Sequence, residues 1–502
     1  MPIVGMRQVI GVLSAFVLLG ATLALLVYTE PTPSRFWFAV AVTMAIVAAL
    51  AFLSRHLLFS SVVTFSLVAL VLFVSIEKKS TMNMVLHSYD LIFYSNAGTL
   101  EFLWTDYRSC VVGAFVVFVA GAALAALVWR FDKTRCFRLV SGVAMALAIA
   151  AVIRLEPQAS ADSGGFKMFS EDNSFVSLFY LSWGETYRTL SRGQFISAAA
   201  NTALHDFAAT RQCVPSVKPP HIILIHQESL VQPSLFPTLA YDHALDPFFL
   251  SDDGRLHRLR VETYGGGSWV TEFALLSGVS TKAFGDMRMF VQVFMEGRLK
   301  ETLPQALQNC GYRTLMLFPM NRGFVSLDRF YRSIGFSEIL DRKAQGAPTD
   351  RERDRFYFTN MLNAMELHFK SSNQPLFAYV QTMASHGPYD NTYMPEENVP
   401  GGGPGTSAEM SEFLRREAMA QRDGEFLMDE IQRRFPGEPI LVVRYGDHQP
   451  SATYPLINRV WGDDSPDVGE DGAPGPYITY YAMVGHNYPL PPLPNYDPLD
   501  VA

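Results

Sequence analysis

The chain has 502 residues, of which 49% are hydrophobic, and carries a formal net charge of −8 at neutral pH. Its mean hydropathy of +0.13 is too high for an ordinary soluble enzyme of this length. The acidic balance, and the lack of a basic stripe in the later part of the sequence, argue against nucleic acid as a partner.

The first third of the sequence holds most of the apolar excess, in five runs. These runs lie at about 9–28, 36–54, 57–76, 110–129 and 138–154. Each is about long enough to cross a hydrocarbon core of roughly 30 Å as a helix. The first run could be a cleaved signal peptide, but it is long, lacks a convincing small-residue cleavage site and is followed by four more runs. We therefore predict a transmembrane domain of five helices over residues 1–154.

Basic residues flanking these runs predict the orientation of the helices. Arg7 precedes the first run, and Arg55 separates the second from the third. The loop between the fourth and fifth runs holds Arg130, Lys133, Arg135 and Arg138. Placing these segments in the cytoplasm satisfies the positive-inside tendency, and an odd number of spans then puts the rest of the chain outside. We expect a multi-pass protein of the inner (cytoplasmic) membrane, with its second half on the periplasmic or extracellular side.

A polar stretch over residues 155–218 follows the last apolar run. We interpret it as a helical linker, with helices expected around Phe175–Leu190 and Phe195–Ala209. Two of the four cysteines, Cys213 and Cys310, would then lie outside the membrane and could form one disulfide. The sequence alone does not decide that pairing.

Residues 219–502 alternate β-type runs with helical stretches, a pattern typical of a doubly wound α/β sheet. The expected strands are Ile222–Ile225, Thr314–Phe318, Leu376–Val380, Ile440–Val443 and Tyr477–Val484. Helices are expected from Thr302-Leu303-Pro304 to Gly311 and over residues 408–434. At roughly 280 residues this region is one large extramembrane domain, with or without a small appendage.

Polar side chains follow several of these strands, at the edge where open α/β sheets bind their ligands. The first strand ends in His226-Gln227-Glu228-Ser229, and Asp447-His448 follows the strand at 440–443. Carboxylate and imidazole groups are good ligands for a divalent metal. Alone, Asp447 could cap a tight turn and Glu228 could be a surface acid, since short motifs are weak signals. Their joint occurrence favours a metal site.

Two more polar segments lie at similar places. In Tyr264-Gly265-Gly266-Gly267-Ser268, three glycines precede Ser268 at a predicted helix start. Such a loop can approach a ligand closely, and its hydroxyl is a plausible nucleophile if a metal lowers the pKa, although Ser268 could simply be a helix N-cap. His386, in Ser385-His386-Gly387-Pro388-Tyr389, lies just past a strand and could bind or protonate a phosphate oxygen.

In this order and spacing, these elements resemble the alkaline phosphatase/sulfatase superfamily. Within it they are most similar to the lipoteichoic acid synthase-like phosphoglycerol transferases. The resemblance covers about 219–485, and five preceding spans also match that family's layout. It is carried by Thr302-Leu303-Pro304, Gly311-Tyr312-Arg313-Thr314, Ser385-His386-Gly387-Pro388-Tyr389 and Gly446-Asp447-His448-Gln449-Pro450.

The resemblance implies one divalent ion, Mn²⁺ or Mg²⁺, held by Glu228, Asp447, His448 and the nucleophile. The family nucleophile is usually a threonine two residues after a glycine, and Ser268 takes that position here. This departure leaves Thr271 as a second candidate. We favour Ser268, because the glycines precede it directly.

The resemblance also implies residues that contact the substrate. His386 corresponds to the family's substrate-phosphate histidine. Asp328 and Arg329 fall where the family has polar substrate contacts, and Arg329 would suit a bidentate contact with phosphate. Alternatively, Asp328 is a helix-start acid and Arg329 a surface base.

The implied reaction is a two-step transfer. The hydroxyl of Ser268 would attack a phosphodiester in a membrane phospholipid and release diacylglycerol. The bound phosphoglycerol-type group would then pass to a hydroxyl of an envelope glycan or polymer. Anchoring in the membrane fits this chemistry, because a lipid donor is confined to the bilayer surface.

Three other functions remain open from the sequence, and a fourth, that of a true sulfatase, is set aside. A phosphoethanolamine transferase would share the topology, but such enzymes usually carry several disulfides in the outer domain, where Cys213 and Cys310 allow one. A sulfatase needs Cys or Ser followed by Pro and Arg, and Cys213-Val214-Pro215-Ser216-Val217 lacks the arginine. A sulfatase-like phosphodiester hydrolase and a non-catalytic scaffold or sensor of envelope assembly are the remaining alternatives.

Overall fold

The computed structural model describes residues 5–82, 84–95, 97–161, 174–192, 213, 218–324, 327–461, 465–490, 492–493 and 497–501. The chain divides into two compact units, Met1–Gly193 and Gln194–Ala502. The predicted limits of the transmembrane domain, the linker (155–218) and the sheet domain stay predictions, because much of the linker lies outside the described residues.

The described part of the first unit is helical. Its helices are α1 (Met6–Thr29), α2 (Pro33–Ser54), α3 (Leu57–Met82), α4 (Ser88–Phe93), α5 (Ala97–Asp106), α6 (Arg108–Phe131), α7 (Arg138–Ala161) and α8 (Val176–Arg192). Five of them contain segments long and apolar enough to cross a membrane: Gln8–Thr29, Pro33–Ser54, Leu57–Met82, Arg108–Phe131 and Arg138–Gln158. The prediction of five helices long and apolar enough to span a membrane is confirmed for the described residues.

Helix α8 follows the last of these segments and corresponds to the helix predicted around Phe175–Leu190. Glu30, at the end of α1, caps its first turn by accepting the backbone amides of Val176 at 2.8 Å and Ser177 at 3.1 Å. A carboxylate at this position satisfies amides that have no partner within the helix. The second predicted linker helix, Phe195–Ala209, lies outside the described residues.

The second unit is built on an eight-stranded sheet. Its strands are β1 (His221–Gln227), β2 (His257–Arg260), β3 (Arg313–Leu317), β4 (Glu338–Leu340), β5 (Leu376–Gln381), β6 (Ile440–Gly446), β7 (Ile478–His486) and β8 (Leu499–Asp500). The spatial order is β4-β3-β5-β1-β6-β7-β2-β8. Strand β1 lies between β5 and β6 and is parallel to both, whereas β7 is antiparallel to β6 and to β2. The predicted α/β class is confirmed, and the five predicted strands are all present.

Helices cover the sheet. They are α9 (Ser268–Ser277), α10 (Val291–Met295), α11 (Leu303–Asn309), α12 (Leu327–Ser333), α13 (Asp354–Ser371) and α14 (Ala408–Arg434). Helices α13 and α14 pack on β1, β5 and β6 through a core that includes Ile223, Met361, Val380, Leu427 and Val442. Because apolar side chains on both elements are removed from water together, this contact fixes the central parallel strands in register.

The helices predicted at 302–311 and 408–434 correspond to α11 and α14. Thr302 begins α11 with a capping box, in which its hydroxyl accepts the Gln305 amide. Cys213 and Cys310 are joined by a disulfide, so the pairing that the sequence left open is formed.

Candidate active site

Two neighbouring parallel strands deliver the predicted acidic residues to one place. Strands β1 and β6 are paired so that Gln227 lies opposite Gly446. Glu228 and Asp447 are the next residues on each strand, so both leave the sheet at the same edge. Glu228 is 3% exposed and Asp447 is 0% exposed. Buried carboxylates in such proximity need compensating partners, because an isolated buried charge is very costly.

His448 lies beside both carboxylates. Its Nε2 is 3.4 Å from Glu228 Oε1 and 3.4 Å from Asp447 Oδ2. Its Nδ1 is 2.9 Å from the carbonyl oxygen of Gln449, which can only accept, so Nδ1 donates. Burial lowers the pKa of His448, but the charges of Asp447 and Glu228 outweigh it and raise the pKa to about 9. Burial likewise opposes the charge on Glu228, but the bond from His448 and the neighbouring imidazoles hold its pKa below the ordinary value.

The glycine-rich loop brings Ser268 to the same place. Gly266 and Gly267 have φ angles of 150° and 78°, in the region that favours glycine, and Ser268 is the first residue of α9. Ser268 Oγ donates to Glu228 Oε2 at 2.8 Å and lies 3.4 Å from His448 Nε2. The side chain is half-buried, so its hydroxyl is both held by the cluster and reachable from outside.

Thr271, the second candidate nucleophile, lies one turn further along α9 and is fully buried. Its Oγ1 donates to the backbone carbonyl of Asp447 at 2.7 Å. This hydroxyl is therefore engaged with the backbone, and it supports the segment that carries Asp447.

The residues present fit a divalent cation. Asp447 Oδ2 is buried without a hydrogen-bond partner among the described residues, although Oδ1 accepts two backbone amides, those of Ser229 and His448. His226, Glu228 and Asp447 each offer one ligand atom, and these atoms lie within 4.8 Å of one another. A buried carboxylate oxygen left free beside other metal-ligand atoms is the expected arrangement of a cation site.

His226 is the residue of this cluster that the sequence analysis did not assign. One signal in the sequence could have found it. Residues two apart on a strand face the same side, so His226 and Glu228 at the end of β1 point in the same direction.

Of the three predicted substrate residues, His386 lies near the cluster, whereas Asp328 and Arg329 form ion pairs with other residues. His386 follows β5, is partly exposed, and is close enough that its charge lowers the pKa of Glu228. Asp328 forms an ion pair with Arg332 at 3.2 Å. Arg329 pairs with Glu296 at 3.3 Å and its side chain is 58% exposed. The structure thus brings together Glu228, Ser268, Asp447 and His448, places His386 nearby, and engages Asp328 and Arg329 in ion pairs of their own.

Comparisons with known proteins agree with this picture of the second unit. The family model described as Sulfatase matches residues 259–482. An uncharacterized protein of Haemophilus influenzae is 26% identical over 237 residues, which cover 45% of this chain and 41% of the relative. The chain therefore spans less than half the length of that relative.

Among the solved structures to which the chain is similar are three with TM-scores below 0.5. The lipoteichoic acid synthase LtaP of Listeria monocytogenes is 18% identical, with a TM-score of 0.41 over 54% of this chain and 65% of that one. The phosphoglycerol transferase GacH of Streptococcus pyogenes is 18% identical, with a TM-score of 0.43 over 62% and 78%. The integral membrane phosphoethanolamine transferase EptA of Neisseria meningitidis is 13% identical, with a TM-score of 0.48 over 92% and 88%.

The matched family segment begins after β1, so it includes Ser268, His386 and Asp447 but not Glu228. Glu228 joins the cluster through the pairing of β1 with β6. The match of residues 259–482 to the Sulfatase family model agrees with the resemblance that the sequence motifs carry.

Proposed function

We propose that this protein is a membrane-anchored, metal-dependent transferase that moves a phosphoglycerol-type head group from a phospholipid to an envelope glycan or polymer. The observation that carries the proposal is the contact of the half-buried Ser268 hydroxyl with Glu228, at 2.8 Å, beside His448 and Asp447. A reachable hydroxyl held against metal-ligand side chains is the arrangement that an activated nucleophile needs.

The donor set suits a hard or borderline divalent ion such as Mn²⁺ or Mg²⁺. Glu228, Asp447, His448 and Ser268 would hold it. When bound, such an ion lowers the pKa of a coordinated hydroxyl and offsets negative charge on phosphoryl oxygens.

In the first step the Ser268 Oγ forms a bond to the phosphorus of the lipid phosphodiester, and the bond from phosphorus to the diacylglycerol oxygen breaks. The hydroxyl proton points to Glu228 Oε2, its hydrogen-bond acceptor. That proton passes from Ser268 Oγ to Glu228 Oε2 as the new bond forms, and the diacylglycerol oxygen takes up one proton from solvent as it leaves. In the second step an acceptor hydroxyl attacks the same phosphorus and gives up its proton to solvent, the bond from phosphorus to Ser268 Oγ breaks, and Oγ regains the proton held by Glu228. His386, partly exposed beside the cluster, would contact the non-bridging oxygens.

A phosphoethanolamine donor would use the same nucleophile and the same two bonds. The residues around Ser268 act on the phosphate, so they serve either head group. The donor is therefore decided by experiment: the purified full-length protein is incubated with phosphatidylglycerol or with phosphatidylethanolamine, and diacylglycerol release and the mass of the intact protein are measured.

We expect a covalent adduct of glycerophosphate mass on a peptide containing Ser268, and release of diacylglycerol from phosphatidylglycerol. Ser268→Ala should abolish both. Thr271→Val is the matched control: it should keep the adduct and lose about 1–2 kcal/mol of stability, because the buried carbonyl of Asp447 loses its donor. An adduct that persists in Ser268→Ala, or that maps to Thr271, would overturn the assignment of the nucleophile. Release from neither lipid would favour a scaffold or sensor.

A further inference from the structure

We infer that His226 is a further ligand of the same metal centre, so that two imidazoles, not one, face the cation. The inference rests on the proposed function only in requiring a divalent ion at this site. His226 is 1% exposed, and its Nε2 lies 3.1 Å from Asp447 Oδ2 and 4.0 Å from Glu228 Oε2. The ring nitrogen thus lies close to both carboxylates.

The free oxygen of Asp447 is the first supporting observation. Its Oδ1 is fixed by the amides of Ser229 and His448, at 2.7 and 2.9 Å. Its Oδ2 lies 3.1 Å from Nε2 of His226 and 3.4 Å from Nε2 of His448. It nevertheless has no well-aligned hydrogen bond with any described residue. Close nitrogen and oxygen atoms without an aligned N–H are expected where their lone pairs converge on one cation.

The other ring nitrogen is the second observation. His226 Nδ1 lies 3.0 Å from the hydroxyl of Tyr379 and 2.9 Å from that of Tyr445, and these hydroxyls are 2.8 Å apart. Burial raises the pKa of the nearby Glu272 carboxyl, and the hydroxyl of Tyr379 lies close enough to oppose that rise. The tyrosine protons can therefore be directed away from the imidazole, and Nδ1–H can donate to the phenol oxygens. This tautomer leaves the Nε2 lone pair free for a metal.

The buried carboxylate near these phenols, Glu272, is itself held in place by hydrogen bonds. Glu272 is 1% exposed and accepts bonds from Tyr331 at 2.5 Å and from Gln381 at 2.6 Å. His448 is held in the same way, with Nδ1 donating to a carbonyl and Nε2 facing the carboxylates. Metal-ligating histidines typically donate their second N–H to a polar partner, which orients the ring.

A second imidazole changes which ion the site prefers. Two nitrogen and two carboxylate donors suit Zn²⁺ and Mn²⁺, whereas Mg²⁺ strongly prefers oxygen. We therefore expect Mn²⁺ to bind the full-length protein more tightly than Mg²⁺ does.

Pulsed EPR of the Mn²⁺-loaded full-length protein tests this directly, because it counts coordinated imidazole nitrogens without any turnover. The wild type should show two, and His226→Gln and His448→Gln should each show one. Tyr445→Phe is the matched control: it removes a hydroxyl behind the ring and should keep both nitrogens.

His226→Gln should also weaken Mn²⁺ binding at least 100-fold, and Tyr445→Phe about tenfold, as expected for a ligand and for a residue behind a ligand. One nitrogen in the wild type and none in His448→Gln would overturn the inference, and this pair of measurements does not depend on how His226→Gln folds. Two nitrogens without diacylglycerol release would leave the inference standing while the proposed transferase fails. Lack of Mn²⁺ binding by the wild type would overturn both.

Discussion

The loop that carries His386 depends on one buried arginine. Arg416, on α14, is 2% exposed and donates to the backbone carbonyls of His386 at 2.6 Å, Pro388 at 3.0 Å and Asn391 at 3.2 Å. Its Nε donates to Glu412 at 2.7 Å. A planar guanidinium can serve all four acceptors at once, which a lysine cannot. We predict that Arg416→Met loosens this loop and impairs the proposed reaction.

The size of the effect follows from what the substitution leaves behind. Three carbonyls lose a charged donor, and each buried acceptor left unsatisfied costs about 1–3 kcal/mol unless water reaches it. Glu412 keeps Arg415 at 2.9 Å, so its charge is not left alone. We expect a loss of about 3–5 kcal/mol, the range for breaking a buried ion pair, and a melting temperature lower by roughly 5–15 °C. Displacing His386 by about 1 Å should cost roughly 100-fold in kcat/KM.

The assay compares thermal unfolding and diacylglycerol release for the full-length protein, with release measured at a temperature where every variant is folded. Arg422→Met is the control, because Arg422 is exposed on the same helix and its bond to the Asn398 carbonyl is long, at 3.4 Å. It should change neither quantity. If Arg416→Met lowers the melting temperature but leaves kcat/KM unchanged, the arginine stabilises the fold without positioning His386, and the reasoning fails.

Three further predictions concern other charged groups of the second unit. Burial and the charge of Asp423 raise the pKa of Asp354 to about 8, so the folded state binds this proton more tightly and stability should fall as pH rises from about 4 to about 8. In Asp354→Asn the melting temperature should depend less on pH between about 4 and about 8 than in the wild type. An unchanged pH dependence would contradict this prediction. Burial also raises the pKa of Glu417, whose oxygens lack a well-aligned partner among the described residues. Glu417→Leu should therefore increase the free energy of unfolding by about 1–3 kcal/mol and raise the melting temperature. A lower melting temperature would refute this. Arg329→Gln should leave the melting temperature nearly unchanged, because its pair with Glu296 is exposed, and should raise KM for the lipid donor if Arg329 contacts phosphate.

The central strands could be predicted from the sequence because each is a run of apolar residues. Strand β2 could not. Its residues, His257-Arg258-Leu259-Arg260, include one apolar side chain, and the strand lies near the margin of the sheet. Two of the charges are compensated by distant residues, Arg258 by Asp497 at 2.9 Å and Arg260 by Asp467 at 2.6 Å. Local composition does not reveal such pairs, since they form only when the chain has folded.

Contacts that form only on folding also explain which site residues the sequence predicted and which it did not. Glu228, Asp447 and His448 stand directly after strands, so their place was visible in the order of residues. The partners of His226 were not, because Tyr379 and Tyr445 meet its ring only if β5 and β6 flank β1. Strand order is set by packing over the whole domain, and a single sequence carries no direct record of it.

The ambiguity between Ser268 and Thr271 has a simple geometric origin. Residues three apart on a helix lie on the same face, so both hydroxyls of α9 point towards the segment after β6. They differ in depth along the helix axis. Ser268, at the open end, contacts Glu228 and His448, whereas Thr271, one turn inside, donates to the carbonyl of Asp447. A buried hydroxyl that holds the backbone of a ligand must stay in place while the reaction proceeds. The hydroxyl at the open end can bond to phosphorus without disturbing that support, so the two residues have complementary roles.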